Sequence, residues 1–274
     1  MIVVLRKQEY PATRRRGVTG LALFLSVGCI LLVSLVMQSI RAEAQTIAQP
    51  DSQFKDGAND VYCIKKYRMT IVSVGRSLEF VFVPKNAPPI DSIALRSRFR
   101  FVINGSYFDG NNLEAGHAGW LKLFGVTIAS IRDEAQLSHI VRIDTSSHST
   151  TFIDYTRFDS TASRSTIEFQ TGPLVVDNNR VAEKYINASI NGLGKYRRSL
   201  LATLNGFDLY FISVQEYVSL DDLGAYLLSL SIFSGKRLSV INLDGGSSVA
   251  LYAKNFPSLS YNGHARLPIL LGIK

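Results

Sequence analysis

Apolar residues fall along the chain in short runs rich in β-branched and aromatic types, separated by Gly, Pro, Asn, Asp and Ser. That pattern predicts mostly strands. Tyr67–Val74 and Leu78–Val83 are two such runs, divided by Gly75-Arg76, and Pro84 to Pro89 then breaks the pattern. A short helix is predicted over Asp91–Phe99 and a short strand over Arg100–Ile103. Ile140–Ile143 and Thr150–Tyr155 read as paired strands across a Ser/Thr-rich turn, and Thr166–Gln170 as another strand. Ser199–Leu204 and Asp208–Val214, joined at Asn205-Gly206, form the clearest hairpin. One stretch has helical period: Leu220, Leu223, Leu227 and Leu230 share a face, Ser219 with Asp222 suits the N-terminus, and Gly235 suits the end. It leads into Leu238–Leu243, a nearly continuous apolar run expected to be a strand buried on both faces. Together these elements predict an α+β fold, with mixed β-sheets, flanking helices and a single domain.

The first 44 residues follow other rules. Arg6, Lys7 and Arg14 to Arg16 precede an uncharged stretch from Gly17 to Met37, long enough to span a bilayer. Ala42-Glu43-Ala44 follows and has the form of a signal-peptidase site. Two outcomes compete for residues 1–44, cleavage after Ala44 or retention as an N-terminal membrane anchor. Either places the rest outside the cytoplasm, periplasmic or secreted, because the basic flank stays inside. The polar stretch 45–60 reads as a linker, and the domain is expected over 61–274, enough chain for a real core. Half of the formal net charge of +8 belongs to the leader, so the basic balance is no sign of nucleic-acid binding, and no such partner is expected. Cys29 and Cys63 form no disulfide framework.

Chemistry concentrates at two strand ends. Leu238–Leu243 runs into Asp244, Gly245, Gly246, Ser247 and Ser248, and Phe101–Ile103 runs into Asn104, Gly105, Ser106, Tyr107 and Asp109. Loops at strand ends are where sites are built. Glycine lets backbone approach a ligand, and nearby hydroxyls and N–H groups suit phosphate or sugar oxygens. The plainer alternatives stay open: a tight Asp-Gly turn at Asp244, a turn residue at Asp109, and a surface ion pair for Arg198. The sequence contains no HExxH, CxxC, Gly-x-Ser-x-Gly or phosphate-loop motif. Carboxylates, amides, hydroxyls and the pair Arg197-Arg198 remain, an inventory that suits carbohydrate and phosphate chemistry. No cofactor is expected, and a metal requirement is left open.

Several segments, in order, resemble the phosphodiester glycosidase domain family. Asn104-Gly-Ser-Tyr-Phe-Asp109 resembles the family's Asn-Gly-Thr-Tyr-Phe-Asp, and Thr171-Gly-Pro-Leu-Val-Val176 its Gly-Pro-x-Leu-Val. Arg198-Ser-Leu-Leu-Ala202 falls where the family has Arg-Thr-Ala-Ile-Gly. Asn242-Leu-Asp-Gly-Gly-Ser247 resembles the Asn-Leu-Asp-Gly-Gly signature, and Ala265-Arg-Leu-Pro-Ile269 the closing Arg-Pro segment. The resemblance implies hydrolysis of the sugar C1–O bond of a glycosyl phosphodiester, on a phosphorylated glycan or sugar-phosphate diester. It implies Asp244 as the carboxylate at the anomeric centre, with Asp109 second, and Arg198 on the departing phosphate. Asn104, Gly105, Tyr107, Gly172, Asn242, Gly245, Gly246 and Ser247 are the implied substrate-binding residues. The competing expectation is a non-catalytic envelope module that binds phosphorylated glycans.

Overall fold

The computed structural model describes residues 47–74, 78–82, 89–108, 117–159, 166–263, 267 and 269–274. The leader over 1–44, the turn residues Gly75 and Arg76, and Asp109, Gly110, His264, Ala265 and Arg266 lie outside them. Ile47–Lys274 form one compact unit. Among the described residues no helix is long and apolar enough to cross a membrane.

The architecture is α+β, three sheets with three α-helices among the described residues. The largest sheet has eight strands, in the spatial order Ser52–Asp56, Asn59–Ile64, Met69–Val74, Asp208–Val218, Tyr196–Leu204, Leu238–Asn242, Leu174–Asp177 and Arg180–Val181. Its middle strands are covered on both faces, which is why their sequences lack alternation. Leu201, Phe211, Ile241 and Leu243 face one core, with Phe101, Ile103, Phe169 and Leu271 from the other sheets. Leu200, Ile212, Leu238 and Val240 face a second core, closed by Leu220, Leu223 and Leu227 of the helix Leu220–Ser229. Leu238–Leu243 is thus buried on both faces as its composition predicts, apart from half-buried Ser239.

A four-stranded sheet runs Leu251–Ala253, Phe101–Asn104, Ile269–Ile273, Leu78–Phe82, and the helix Ile90–Arg96 packs on it through Ile90, Ile93 and Ala94. A five-stranded sheet runs Val126–Ala129, Leu121–Leu123, Thr166–Thr171, His139–Asp144, Ser149–Asp154. Every pairing between these strands is antiparallel, and an isolated bridge from Ala48 to Leu230 is parallel. Met69–Val74 and Leu78–Phe82, neighbours in the chain, belong to different sheets.

The hairpin forms as predicted but is longer, Tyr196–Leu204 with Asp208–Val218, and both Asn205 and Gly206 have positive φ in the turn. The helix after Ser219 is shorter than predicted. It ends at Ser229, and a 3-10 turn, Ser231–Phe233, carries the chain to Gly235. The Ser219 hydroxyl donates to Asp222 Oδ2 at 2.8 Å rather than accepting from backbone. The linker expected over 45–60 is corrected as well. Ser52–Asp56 pairs with Asn59–Ile64 at the rim of the large sheet. An edge strand whose outer face meets water can be polar throughout, so its sequence reads as loop. Asp56 anchors it inward, accepting from Asn255 Nδ2 at 2.8 Å and pairing with Arg100.

Candidate active site

Register builds the site. In the large sheet Leu200 pairs with Asn242 and Leu201 with Ile241. Continuing that antiparallel register by two residues sets Arg198 opposite Asp244, and the intervening Leu243 N–H donates to Ser199 O at 2.8 Å. The four-stranded sheet meets this point through Asn104. Asn104 Nδ2 donates to the Asp244 carbonyl at 2.7 Å, while Oδ1 accepts from Ser199 Oγ at 2.5 Å and Ala250 N at 3.0 Å. Asp244 N–H donates to Gly105 O at 3.1 Å. One buried amide thus ties two sheets and the Asp244 loop together.

The two glycines after Asp244 serve different needs. A Cβ on Gly245 would lie 3.0 Å from the Arg197 carbonyl oxygen, a contact that the neighbouring strand would have to relieve by a few tenths of an ångström. Gly246 has φ +62°, a region most side chains avoid. The chain then turns back through Gly246–Ser248.

A cavity of about 310 Å³ opens here. Asp244 sits half-buried in its wall, and its Oδ1 accepts from Gly245 N at 2.9 Å. Burial raises its pKa to about 6, against the lowering effect of hydrogen bonds from Ser248 and Gly245. Arg198 is 2% exposed. Its Nε donates to Val218 O at 3.4 Å, and Nη2 to Asn191 O at 2.8 Å and Gly194 O at 2.6 Å. Nη1 takes part in none of these bonds. The Tyr196 ring lies 5.1 Å from the guanidinium carbon. No carboxylate among the described residues pairs with Arg198, and burial lowers its pKa. A buried cation without an anionic partner is costly, and an arriving anion relieves that cost. Tyr107 also lines the cavity; burial, then the Asp244 charge, push its phenol pKa well up, so it stays protonated. Its hydroxyl donates to Gly172 O at 3.1 Å and accepts from Asn242 Nδ2 at 2.8 Å.

A sequence profile of the phosphodiester glycosidase family matches residues 97–273. The chain belongs to that family. No match is found among curated proteins. Among solved structures, the chain is similar to the catalytic domain of zebrafish N-acetylglucosamine-1-phosphodiester alpha-N-acetylglucosaminidase, auto-inhibited by its pro-peptide. That likeness has a TM-score of 0.54 at 14% identity, over 81% of this chain and 80% of that one. A hypothetical protein from Synechocystis aligns with a TM-score of 0.47 at 12% identity, over 81% of this chain and 60% of that one.

Within this phosphodiester glycosidase domain the expected site residues divide. Asp244, Arg198, Tyr107, Gly245, Gly246 and Ser247 line one cavity. Asn104, Gly105, Gly172 and Asn242 stand behind it. Asn104 and Asn242 are buried, and the Asn242 amide nitrogen is spent on Tyr107 Oη, Gly172 O and Leu243 O. A Cβ on Gly105 would sit 2.5 Å from Ile269 Cγ2 and one on Gly172 2.8 Å from Gln136 O, so both are packing glycines. Asp109 lies outside the described residues. Ser248, named with the Asp244 loop, also lines the cavity; Phe108, Asn191 and Tyr196 line it and were not anticipated. Tyr196 had a signal in the sequence, two residues before Arg198 in one strand; Asn191 had none. Among the described residues no three His, Cys, Asp or Glu side chains are grouped to hold a metal ion.

Proposed function

We propose that the protein hydrolyses the C1–O bond of a glycosyl phosphodiester, releasing the sugar and a phosphomonoester. One observation carries the reading: a carboxylate and a guanidinium face the same cavity from paired strands, and neither neutralises the other. Asp244 is placed at the anomeric carbon, where positive charge develops as the bond breaks. The electron pair of the C1–O bond leaves with the phosphate oxygen, and water supplies the new oxygen at C1. Arg198, with Nη1 unspent, holds the departing phosphate. A phosphate monoester leaves readily, so the arginine does much of what a second protonated carboxyl does elsewhere. Gly245, Gly246 and Ser247 border the sugar or phosphate oxygens.

The test is release of reducing sugar from a sugar phosphodiester by purified protein, compared with Asp244→Asn. Turnover by the wild type and its collapse in the variant support the reading. Binding of phosphorylated glycan with no turnover by the wild type would assign the cavity to a non-catalytic module.

A further inference from the structure

Arg198 reaches the cavity with most of its donors already committed. A guanidinium has five N–H groups, one on Nε and two on each terminal nitrogen. The Nε group donates to Val218 O, and Nη2 donates to both Asn191 O and Gly194 O. A phosphate therefore meets this arginine end-on, through Nη1, and not through the two-nitrogen fork that usually holds one. An end-on contact serves one non-bridging oxygen of a phosphodiester and leaves the other for a second donor. Little else on the wall is free to supply it. The Tyr107 hydroxyl donates to Gly172 O, and the Ser248 hydroxyl bonds Asp244. Ser247 adjoins Asp244 and so belongs to the sugar side of the cavity.

Tyr196 stands on the arginine side. Two residues apart in one strand, Tyr196 and Arg198 share a face. Tyr196 pairs with Val218 and Arg198 with Val214, so the partner strand bulges between them, and the bulge brings Val218 O to Arg198 Nε. The Tyr196 ring lies 5.1 Å from the guanidinium carbon. Its hydroxyl end rests on Gly194, where a Cβ would lie 2.4 Å from Cε2 and 3.2 Å from the phenol oxygen. Gly194 O in turn accepts from Nη2, so phenol and guanidinium meet at one loop. The ring is 39% exposed and lines the cavity, and its hydroxyl forms no hydrogen bond among the described residues. A neutral donor suits a phosphodiester, whose single negative charge Arg198 already balances; a second cation there would be repelled by the first.

We infer that Tyr196 contacts the substrate: its hydroxyl donates to one non-bridging oxygen of the phosphodiester while Arg198 Nη1 donates to the other. This rests on the proposed reaction. Both oxygens carry charge before the C1–O bond breaks, so the Tyr196 contact is made in the bound substrate and persists as the phosphate departs. Tyr196 thus sets affinity, whereas Arg198 sets affinity and departure together.

The test is Tyr196→Phe in the full chain. It removes one oxygen that no bond among the described residues uses, so the fold is kept. With a glycosyl phosphodiester as substrate, KM should rise about tenfold, the loss of one hydrogen bond to a charged acceptor, while kcat stays within about threefold of wild type. Diethyl phosphate, a diester monoanion with no glycosidic bond, is the second probe. Its dissociation constant, read by phosphorus NMR titration, should rise by the same factor. Tyr217→Phe, a tyrosine outside the cavity lining, is the control and should leave both constants unchanged. Unchanged constants in Tyr196→Phe, with the loss falling on Asn191→Ala or on neither variant, overturn the contact, as does a loss confined to kcat. A wild type that binds diethyl phosphate but turns nothing over overturns the reaction instead, and the titration of Tyr196→Phe still decides on the contact. A wild type that neither binds nor turns over overturns both.

Discussion

Replacing Asp244 with asparagine should inactivate the protein and stabilise it at the same time. The carboxyl titrates near 6 in the folded state instead of its ordinary 3.8, because burial disfavours its charge. Between those pH values the folded state holds more proton than the unfolded state, so stability falls as pH rises through the window. Above about pH 6 the full penalty is present; below about 3.8 it is absent. At roughly 1.4 kcal/mol per pH unit the penalty is about 3 kcal/mol at most, and the open side toward the cavity reduces it to about 1–3 kcal/mol. The amide keeps the shape and removes the charge. Asp244→Asn should therefore melt about 3–8 °C higher than wild type at pH 7.5, with the gap closing near pH 4. Turnover should drop about a hundredfold or more, a loss of roughly 3 kcal/mol in the transition state. Thermal unfolding at both pH values, beside sugar-release assays, reads both effects. A variant less stable than wild type at pH 7.5, or a gap independent of pH, would refute the idea that charge burial at Asp244 is held against the fold for the sake of the site. Wild-type kcat/KM should also rise with pH to a plateau above about 6 if the ionised carboxylate acts; a fall through that range would make the proton the working part.

Three further outcomes are expected. Arg198→Lys keeps the charge but loses the fork that meets three backbone carbonyls; it should raise KM and lower kcat, and diesters with better phosphate leaving groups should restore part of the rate, a rescue absent in Asp244→Asn. Asn104→Ala removes the amide that joins Asp244 O, Ser199 Oγ and Ala250 N; urea unfolding should show a loss of about 2–4 kcal/mol, since buried groups are left unpaired. Gly245→Ala places a methyl 3.0 Å from Arg197 O; steady-state kinetics should show at least a tenfold loss in kcat/KM with less than about 2 kcal/mol of stability lost, because the loop shifts and the core does not.

The parts of the fold that composition disclosed are those buried on both sides or closed by distinctive turns. Leu238–Leu243, the Asn205-Gly206 hairpin and the Leu220 helix all announce themselves through apolar density or positive-φ residues. Ser52–Asp56 did not, because most side chains of this edge strand meet water and its pairing runs through the backbone, with Asp56 alone anchored inward by side-chain bonds. The crossing of Met69–Val74 and Leu78–Phe82 into different sheets was equally silent, since local pattern carries no information on which partner a strand selects.

At the site the residue types themselves contained more information than their positions suggested. Asparagine beside glycine at a strand end has two uses, to meet a ligand or to satisfy backbone, and Asn104 and Asn242 took the second. The neutral amide of Asn104 is satisfied at both its nitrogen and its oxygen, while Asn242 spends its nitrogen and leaves Oδ1 buried without a partner. A charge has no such refuge: it needs an opposite charge, water or a ligand. Both charged candidates that the structure describes, Arg198 and Asp244, reach the cavity beside Tyr107, Gly245, Gly246 and Ser247, and neither finds an ion partner there. Weighing the burial cost of each group against the partners available to it separates the residues that face a ligand from those that hold them in place, and it points to the cavity before any geometry is known.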